Sequence, residues 1–268
     1  MSQFLTISKN GPVLEILLNR PPVNAITPEV GHELHRAFCE FRDTPELRAA
    51  ILTATGDRIF CAGWDLKEVA QHVDPATAND ATMNEPGGFG GFTELWDIKK
   101  PIIAAINGFA VGGGFEMMLA ADIVVAAEHV EFQLPEMQRG FVPDAGAVQR
   151  LPRKVPYNVA VEWMLTGRRV SAREAERWGL VNFLVPKSEL MTKARELAMT
   201  IAEGAPLAVR ALLEVIPAID RLPIQDAFAK MKRGQSDFPF YQQTLVSEDF
   251  LEGPRAYAEK RKPVWKGR

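Results

Sequence analysis

Apolar positions fall into short runs in the first half of the chain and into helical stripes in the second. Leu5–Ser8 and Val13–Leu18 are apolar-rich runs split by Asn10-Gly11, a hairpin signal. Thr27-Pro28-Glu29 sets an N-cap threonine before a proline at the first helical position and predicts a helix to about Phe41. Ala49–Thr53, Ile102–Ile106 and Ile123–Ala126 are almost wholly apolar, as strands covered on both faces are. Helical segments lie between them, so the pattern predicts an α/β class with a sheet covered on both sides. From about Pro156 strand signals nearly vanish. Ser171-Ala-Arg-Glu174 reads as a capping box, and Lys187–Glu203, Pro206–Ile216, Ile224–Gln235 and Glu248–Arg261 carry helical periodicity. The division expected is a core over 1–200 and a helical region over 201–268. Thr77–Gly91, rich in Asn, Pro and Gly, is the most loop-like stretch and a candidate lid.

Composition narrows the function classes. Ile102–Ala127 is apolar enough to raise a membrane span, but it carries Asn107, Glu116, Asp122 and several glycines, which suit a buried strand–turn–helix–strand better. A net charge of −3 offers no basic footprint for nucleic acid. The chain has 2 cysteines, Cys39 and Cys61, too few for a disulfide framework and in keeping with a reducing compartment. The opening MSQFLTISKNG has no basic stretch followed by an apolar one, so no secretory or transit segment is expected, and a cytoplasmic protein is.

Three segments carry candidate chemistry. In Ile103–Asp122, IAAINGFAVGGGFEMMLAAD, a buried strand turns at Asn107-Gly108, and Gly112-Gly113-Gly114 feeds a helix. Glycines let a ligand approach the backbone, and a helix N-terminus offers free N–H groups and the positive end of a dipole. The bland alternative is a tight turn. G-x-G-x-x-G is absent and no Gly-Lys-Ser/Thr follows, so neither a dinucleotide fingerprint nor a P-loop is present. Glu116 lies in the first turn of that helix, where the dipole favours an acid. Its apolar surroundings make burial costly and point to a role. In Phe60–Lys67, FCAGWDLK, a second backbone N–H is offered beside a glycine at a helix start. In Phe132–Pro143, FQLPEMQRGFVP, Glu136 follows a proline, and alone would read as an ordinary helix-start acid. Asp144, before Ala-Gly-Ala-Val-Gln-Arg, reads as a helix N-cap, with a chemical role as the alternative. His32 and His35 share a helix face without a third ligand, so no metal site is expected. His72 and His129 are isolated, and Cys61 reads as packing.

Together FCAGWDLK, IAAINGFAVGGGFE and LPE followed by GFVPDAGAVQRLPR resemble, in order and spacing, the three signature segments of the crotonase (enoyl-CoA hydratase/isomerase) superfamily. The resemblance runs from NRPPVNAIT to AYAEKRKPVWKGR. AGWDLK, GGFGGFTELW, PDAG, SEDFLEGPRAYAEKR and PVWKGR are similar to the branch acting on carnitine-type acyl-CoA thioesters. The resemblance implies a spiral of ββα units with a C-terminal helical trimerisation region, assembled as a homotrimer or dimer of trimers. It implies an acyl-CoA substrate, no cofactor beyond the CoA of that substrate, and no membrane or nucleic-acid partner. It puts the thioester oxygen between the N–H groups of Trp64 and Gly113, with Glu116 and Glu136 as the acid–base pair. Val23 and Ala25 would lie near the pantetheine and Ala62, Asp65 and Leu66 near the adenine. Lys260 would approach the CoA phosphates, often from a neighbouring subunit. Phe89, Phe92, Trp96 and Asp144 are expected around the acyl group. Two departures stand out: NRPPVNA is one residue shorter than the common NRPKALNA and lacks its lysine, and Trp64 replaces a small residue, which reshapes the acyl pocket. A general hydratase or isomerase, or a scaffold or RNA-binding relative, are the alternatives. The two glutamates and the acidic balance weigh against the last.

Overall fold

The structure is a computed structural model that describes residues 2–70 and 86–268. His72 and residues 77–85 of the expected lid lie outside them. Strands β1 (Leu5–Asn10) and β2 (Val13–Leu18) pair antiparallel, with Asn10 opposite Val13. Gly11, at φ +58°, supplies the left-handed residue of the two-residue turn between them. Helix α1 (Pro28–Asp43) starts at the expected Thr27-Pro28 and buries Val30, Leu34, Ala37, Phe38 and Phe41, one helical stripe.

From there the chain winds as a spiral in which each turn gives one strand to a large sheet and the next to a small one. Strands β3 (Ala49–Ala54), β5 (Ile102–Ile106) and β7 (Ile123–Ala127) extend the large sheet in parallel, in the order β1-β2-β3-β5-β7-β10 with β10 at Phe183–Val185. Strands β4 (Ile59–Cys61), β6 (Phe109–Val111), β8 (Glu131–Gln133) and β9 (Val170–Ser171) form the small sheet, and a short helix α2 (Leu66–Val69) follows β4. The apolar runs are explained by two covers. Ala49, Ile51, Ile103 and Ala105 face a helix at Leu190–Ala202, while Ala50, Leu52, Ala104 and Ile106 face the main core with α1. Alternate residues of each strand therefore enter different cores, and every position has to be apolar.

Three features depart from the sequence pattern. Strands β6, β8, β9 and β10 span 3, 3, 2 and 3 residues and are too short for a readable period, so the expected strand–turn–helix–strand over 102–127 holds one strand more. The capping box is half formed: Ser171 Oγ accepts from Glu174 N–H at 3.1 Å, but Arg168 takes up the Glu174 carboxylate at 2.6 Å. Past the core, helices cover Pro206–Ile219, Ile224–Lys230, Pro239–Val246 and Glu248–Ala258, the third of which the pattern had not shown. This region leaves Leu212, Ile216, Ile224, Phe228 and Val246 at 53–85% exposure in the single chain.

Candidate active site

Two glycine corners meet on the side of the small sheet. At the first, β6 ends in Gly112, at φ +53°, and helix α3 (Gly113–Ala120) begins. Each of its three glycines answers a different neighbour. A Cβ on Gly112 would stand 2.5 Å from Glu136 Oε1, on Gly113 2.3 Å from the Phe89 ring, and on Gly114 2.3 Å from the Cys61 carbonyl oxygen. The run is thus tighter than the tight turn its sequence alone allows. At the second corner, Gly63 at φ +80° packs against the first, where a Cβ would lie 2.8 Å from Gly113 N. Ile26 N–H donates to Gly63 O at 2.8 Å and Asp65 N–H donates to Ile26 O at 3.0 Å, pairing Ile26 with Trp64 in parallel. That pairing uses the groups on either side of Trp64 and turns the Trp64 N–H to the opposite edge. Gly113 opens α3, so its N–H has no intrahelical acceptor.

Both residues line a cavity of about 110 Å³ that also takes in Glu116, Glu136 and Asp144. Glu116 is 3% exposed on the first turn of α3. Its Oε1 accepts from the N–H of Ala147 at 3.0 Å, the first residue of helix α4 (Ala147–Lys154). Burial, reinforced by the nearby Glu136 and Asp144 charges, pushes its carboxyl up to about 8 against the pull of the Ala147 hydrogen bond. Glu136 begins a short 3₁₀ turn, Glu136–Arg139, and burial pushes it up to about 7 while Arg139 pulls the other way. Its Oε2 is buried and has no hydrogen-bond partner among the described residues. Near neutrality the two carboxyls together hold about one proton, so one can give a proton while the other takes one. Cys61 lies beneath, fully buried, its thiol pushed up to about 12 by burial, and its Sγ accepts from Gly63 N–H at 3.3 Å.

The family model described as Enoyl-CoA hydratase/isomerase matches residues 8–268. The chain belongs to the enoyl-CoA hydratase/isomerase family. It is 50% identical over 268 residues to a carnitinyl-CoA dehydratase of Salmonella typhi and 51% identical over 268 residues to that of Proteus mirabilis, with 100% of both chains covered in each case. Its fold superposes on an enoyl-CoA hydratase from Mycobacterium tuberculosis H37Rv with a TM-score of 0.88 at 36% identity, covering 99% of each chain. For the Bacillus anthracis enoyl-CoA hydratase the TM-score is 0.89 at 35% identity, covering 99% of this chain and 100% of the other. The ββα spiral expected from the resemblance is the observed fold, and the chain is an enzyme of the hydratase type.

Within this family member the anticipated residues divide into those the fold gathers and those it does not. Val23 O accepts from Ala62 N–H at 3.1 Å, and Arg20 reaches both the Ala25 carbonyl, at 3.3 Å, and the Asp65 carboxylate, at 2.9 Å. The turn and extended segment holding Val23 and Ala25 therefore run beside the segment that carries Ala62 and Asp65 into the helix at Leu66. Phe89 lines the cavity, but Phe92 and Trp96 do not. Phe92 is buried with its ring stacked 4.3 Å from Phe38, and Trp96 is 68% exposed under the Arg150 guanidinium. Gly90 and Gly91, both at positive φ, turn the chain between Phe89 and Phe92, so neighbouring aromatics leave in different directions. Lys260 follows the last helix, is exposed, and does not line this chain's cavity.

Asp144 caps no helix. Gly146, at φ +144°, holds the N-cap position of α4, and Glu116 takes the N–H of Ala147. Asp144 is left exposed on the cavity rim. His35 is engaged within the fold, its Nδ1 3.0 Å from Gly91 O and its Nε2 3.4 Å from Cys39 Sγ. Sequence reasoning missed Phe141 and Val142, which line the cavity at 40% and 56% exposure. Their one signal was two apolar residues directly after Gly140 in a turn, where no core claims them.

Proposed function

We propose that the chain catalyses the reversible hydration and dehydration of a 2-enoyl-CoA/3-hydroxyacyl-CoA pair, with crotonobetainyl-CoA and carnitinyl-CoA as its substrates. One observation carries the reading: two carboxyls raised toward neutrality share a cavity with two backbone N–H groups from separate corners. The thioester oxygen would accept hydrogen bonds from the N–H groups of Trp64 and Gly113, which stabilise the charge that builds there when the α carbon loses its proton. One such donor contributes about 3–4 kcal/mol. In dehydration a carboxylate takes the α proton and a carboxylic acid protonates the β hydroxyl, which leaves as water. The pair ends with the one proton it started with. No electron is transferred, and the chemistry calls for no cofactor other than the CoA of the substrate. The edge formed by Val23, Ala25, Ala62, Asp65 and Leu66 would hold that CoA, with Lys260 of a neighbouring copy at its phosphates.

The full-length identity to carnitinyl-CoA dehydratases supports the carnitine-type acyl group. A trimer or dimer of trimers follows from the apolar side chains bared on the C-terminal helices, which a second copy would cover. Light scattering at micromolar concentration tests the assembly, and a clean monomer peak would overturn it. We assign the enzyme to the cytoplasm, where free thiols persist. The experiment for the reaction is a comparison of turnover on crotonobetainyl-CoA and crotonyl-CoA. Preference for the first is expected. No preference would leave a general enoyl-CoA hydratase in its place.

A further inference from the structure

The cavity has an apolar mouth that the two glutamates do not explain. Leu66, Phe141 and Val142 line it with 38%, 40% and 56% of their surface exposed. The Trp64 and Phe141 rings stand with centroids 6.2 Å apart, tilted by 56°. They form an open angle rather than a closed stack. Phe141 is fixed relative to the chemistry, because its N–H donates to Glu136 O at 3.0 Å across a turn that Gly140 closes at φ +81°. The glutamate and the ring are thus the two ends of one tight turn. An exposed carboxylate, Asp144, lies on the same rim.

We propose that Phe141, together with Trp64, forms a two-ring seat for the quaternary ammonium end of the acyl group. This rests on the carnitine-type reading above. A trimethylammonium has no N–H to donate, so aromatic faces and nearby carboxylates are the partners open to it. Its nitrogen is two bonds from the β carbon. A carboxyl that serves the β hydroxyl is therefore within the roughly 4–6 Å over which an opposite charge favours ionisation. The charged groups around the seat are Glu116 on α3, Glu136 and Arg139 on the 3₁₀ turn, Asp144 before α4 and Arg150 on it. With one proton shared by the two glutamates these charges balance, so the two rings and the exposed Asp144 carboxylate on the rim, rather than a net charge, are what would meet the cation. The seated cation stabilises the ionised form of the carboxyl that serves the β hydroxyl, the form that takes the proton from water in hydration, so the substrate's charge contributes to its own hydration.

The test uses Phe141→Leu, which keeps apolar bulk and removes the ring face. Substrates are crotonobetainyl-CoA and its uncharged isostere, in which carbon replaces the ammonium nitrogen. The ratio of kcat/KM for charged over uncharged substrate is expected to fall about five- to tenfold in Phe141→Leu. In the wild type the acid limb of the kcat–pH profile, which reports the enzyme–substrate complex, is expected about one pH unit lower with the charged substrate. An unchanged ratio in a folded variant, or superimposed acid limbs, overturns the seat while leaving the carnitine reading standing. A wild type that prefers the isostere, or turns over only uncharged thioesters, overturns the carnitine reading and the seat with it.

Discussion

Glu116 and Glu136 look into one cavity from opposite kinds of structure. Glu116 rises from α3, packed on every side, with its Oε1 tied to the start of α4. Glu136 opens a four-residue 3₁₀ turn, and the half-exposed Phe141 follows two residues past its end. The deep carboxyl is positioned by close backbone contacts that leave no freedom, while the rim carboxyl shares its segment with the groups that would meet a variable acyl chain. One carboxyl of the proposed proton pair is therefore held in the core, and the other sits on the segment that borders the mouth of the cavity.

The largest expected effect is on turnover. Glu116→Gln and Glu136→Gln should each lower kcat by about 10²–10⁴-fold, with binding of the CoA ester retained, because an amide keeps the shape but exchanges no proton. The aspartate variants sharpen the contrast. Glu116→Asp should lose as much as the amide, since α3 cannot advance to restore the reach, whereas Glu136→Asp should keep measurable activity. Steady-state kinetics and ester binding by calorimetry decide it, and equal losses in the two aspartates would break the contrast.

Backbone rigidity gives the next largest effect. Gly114→Ala drives a methyl into the Cys61 carbonyl and should cost about 2–4 kcal/mol in denaturant unfolding. Gly140→Ala meets nothing within 4 Å and pays only for its φ of +81°, about 1–2 kcal/mol. A cost at Gly140 equal to that at Gly114 would mean that the rim turn is as constrained as the deep corner.

The pH dependence of stability isolates Glu116. A carboxyl whose folded value lies at about 8 contributes stability fully below its unfolded value near 4.5, and loses it progressively up to the folded value. By pH 7 the loss is on the order of 3 kcal/mol. Glu116→Gln removes this titration, so its melting temperature should gain on the wild type as pH rises from 5 to 8. A difference that stays constant over that range would place the charge elsewhere. The smallest effect is expected at Lys260→Ala, which should weaken CoA-ester affinity about two- to threefold at low salt, since one exposed phosphate contact is strongly screened. Identical affinity would remove Lys260 from the site.

The α/β class, the hairpin, α1 with its Thr27-Pro28 start, the three long core strands and the three segments that hold the glutamates and the glycine corners can be read from residue order alone. These were legible because each is a local pattern. Burial on both faces demands an unbroken apolar run, a helix start demands a cap or proline, and a close backbone approach demands glycine. Folding alone settles that Gly112, Gly113 and Gly114 face a carboxylate, a ring and a carbonyl, because those partners come from three distant segments. It also decided that Phe89 enters the cavity while Phe92 enters the core, and that Phe141 joins the rim in place of Trp96. Successive aromatics on a glycine-bent turn have no period from which direction could be read. Asp144 shows the same limit, since a helix can be capped by an acid from another element, and here Glu116 takes that place.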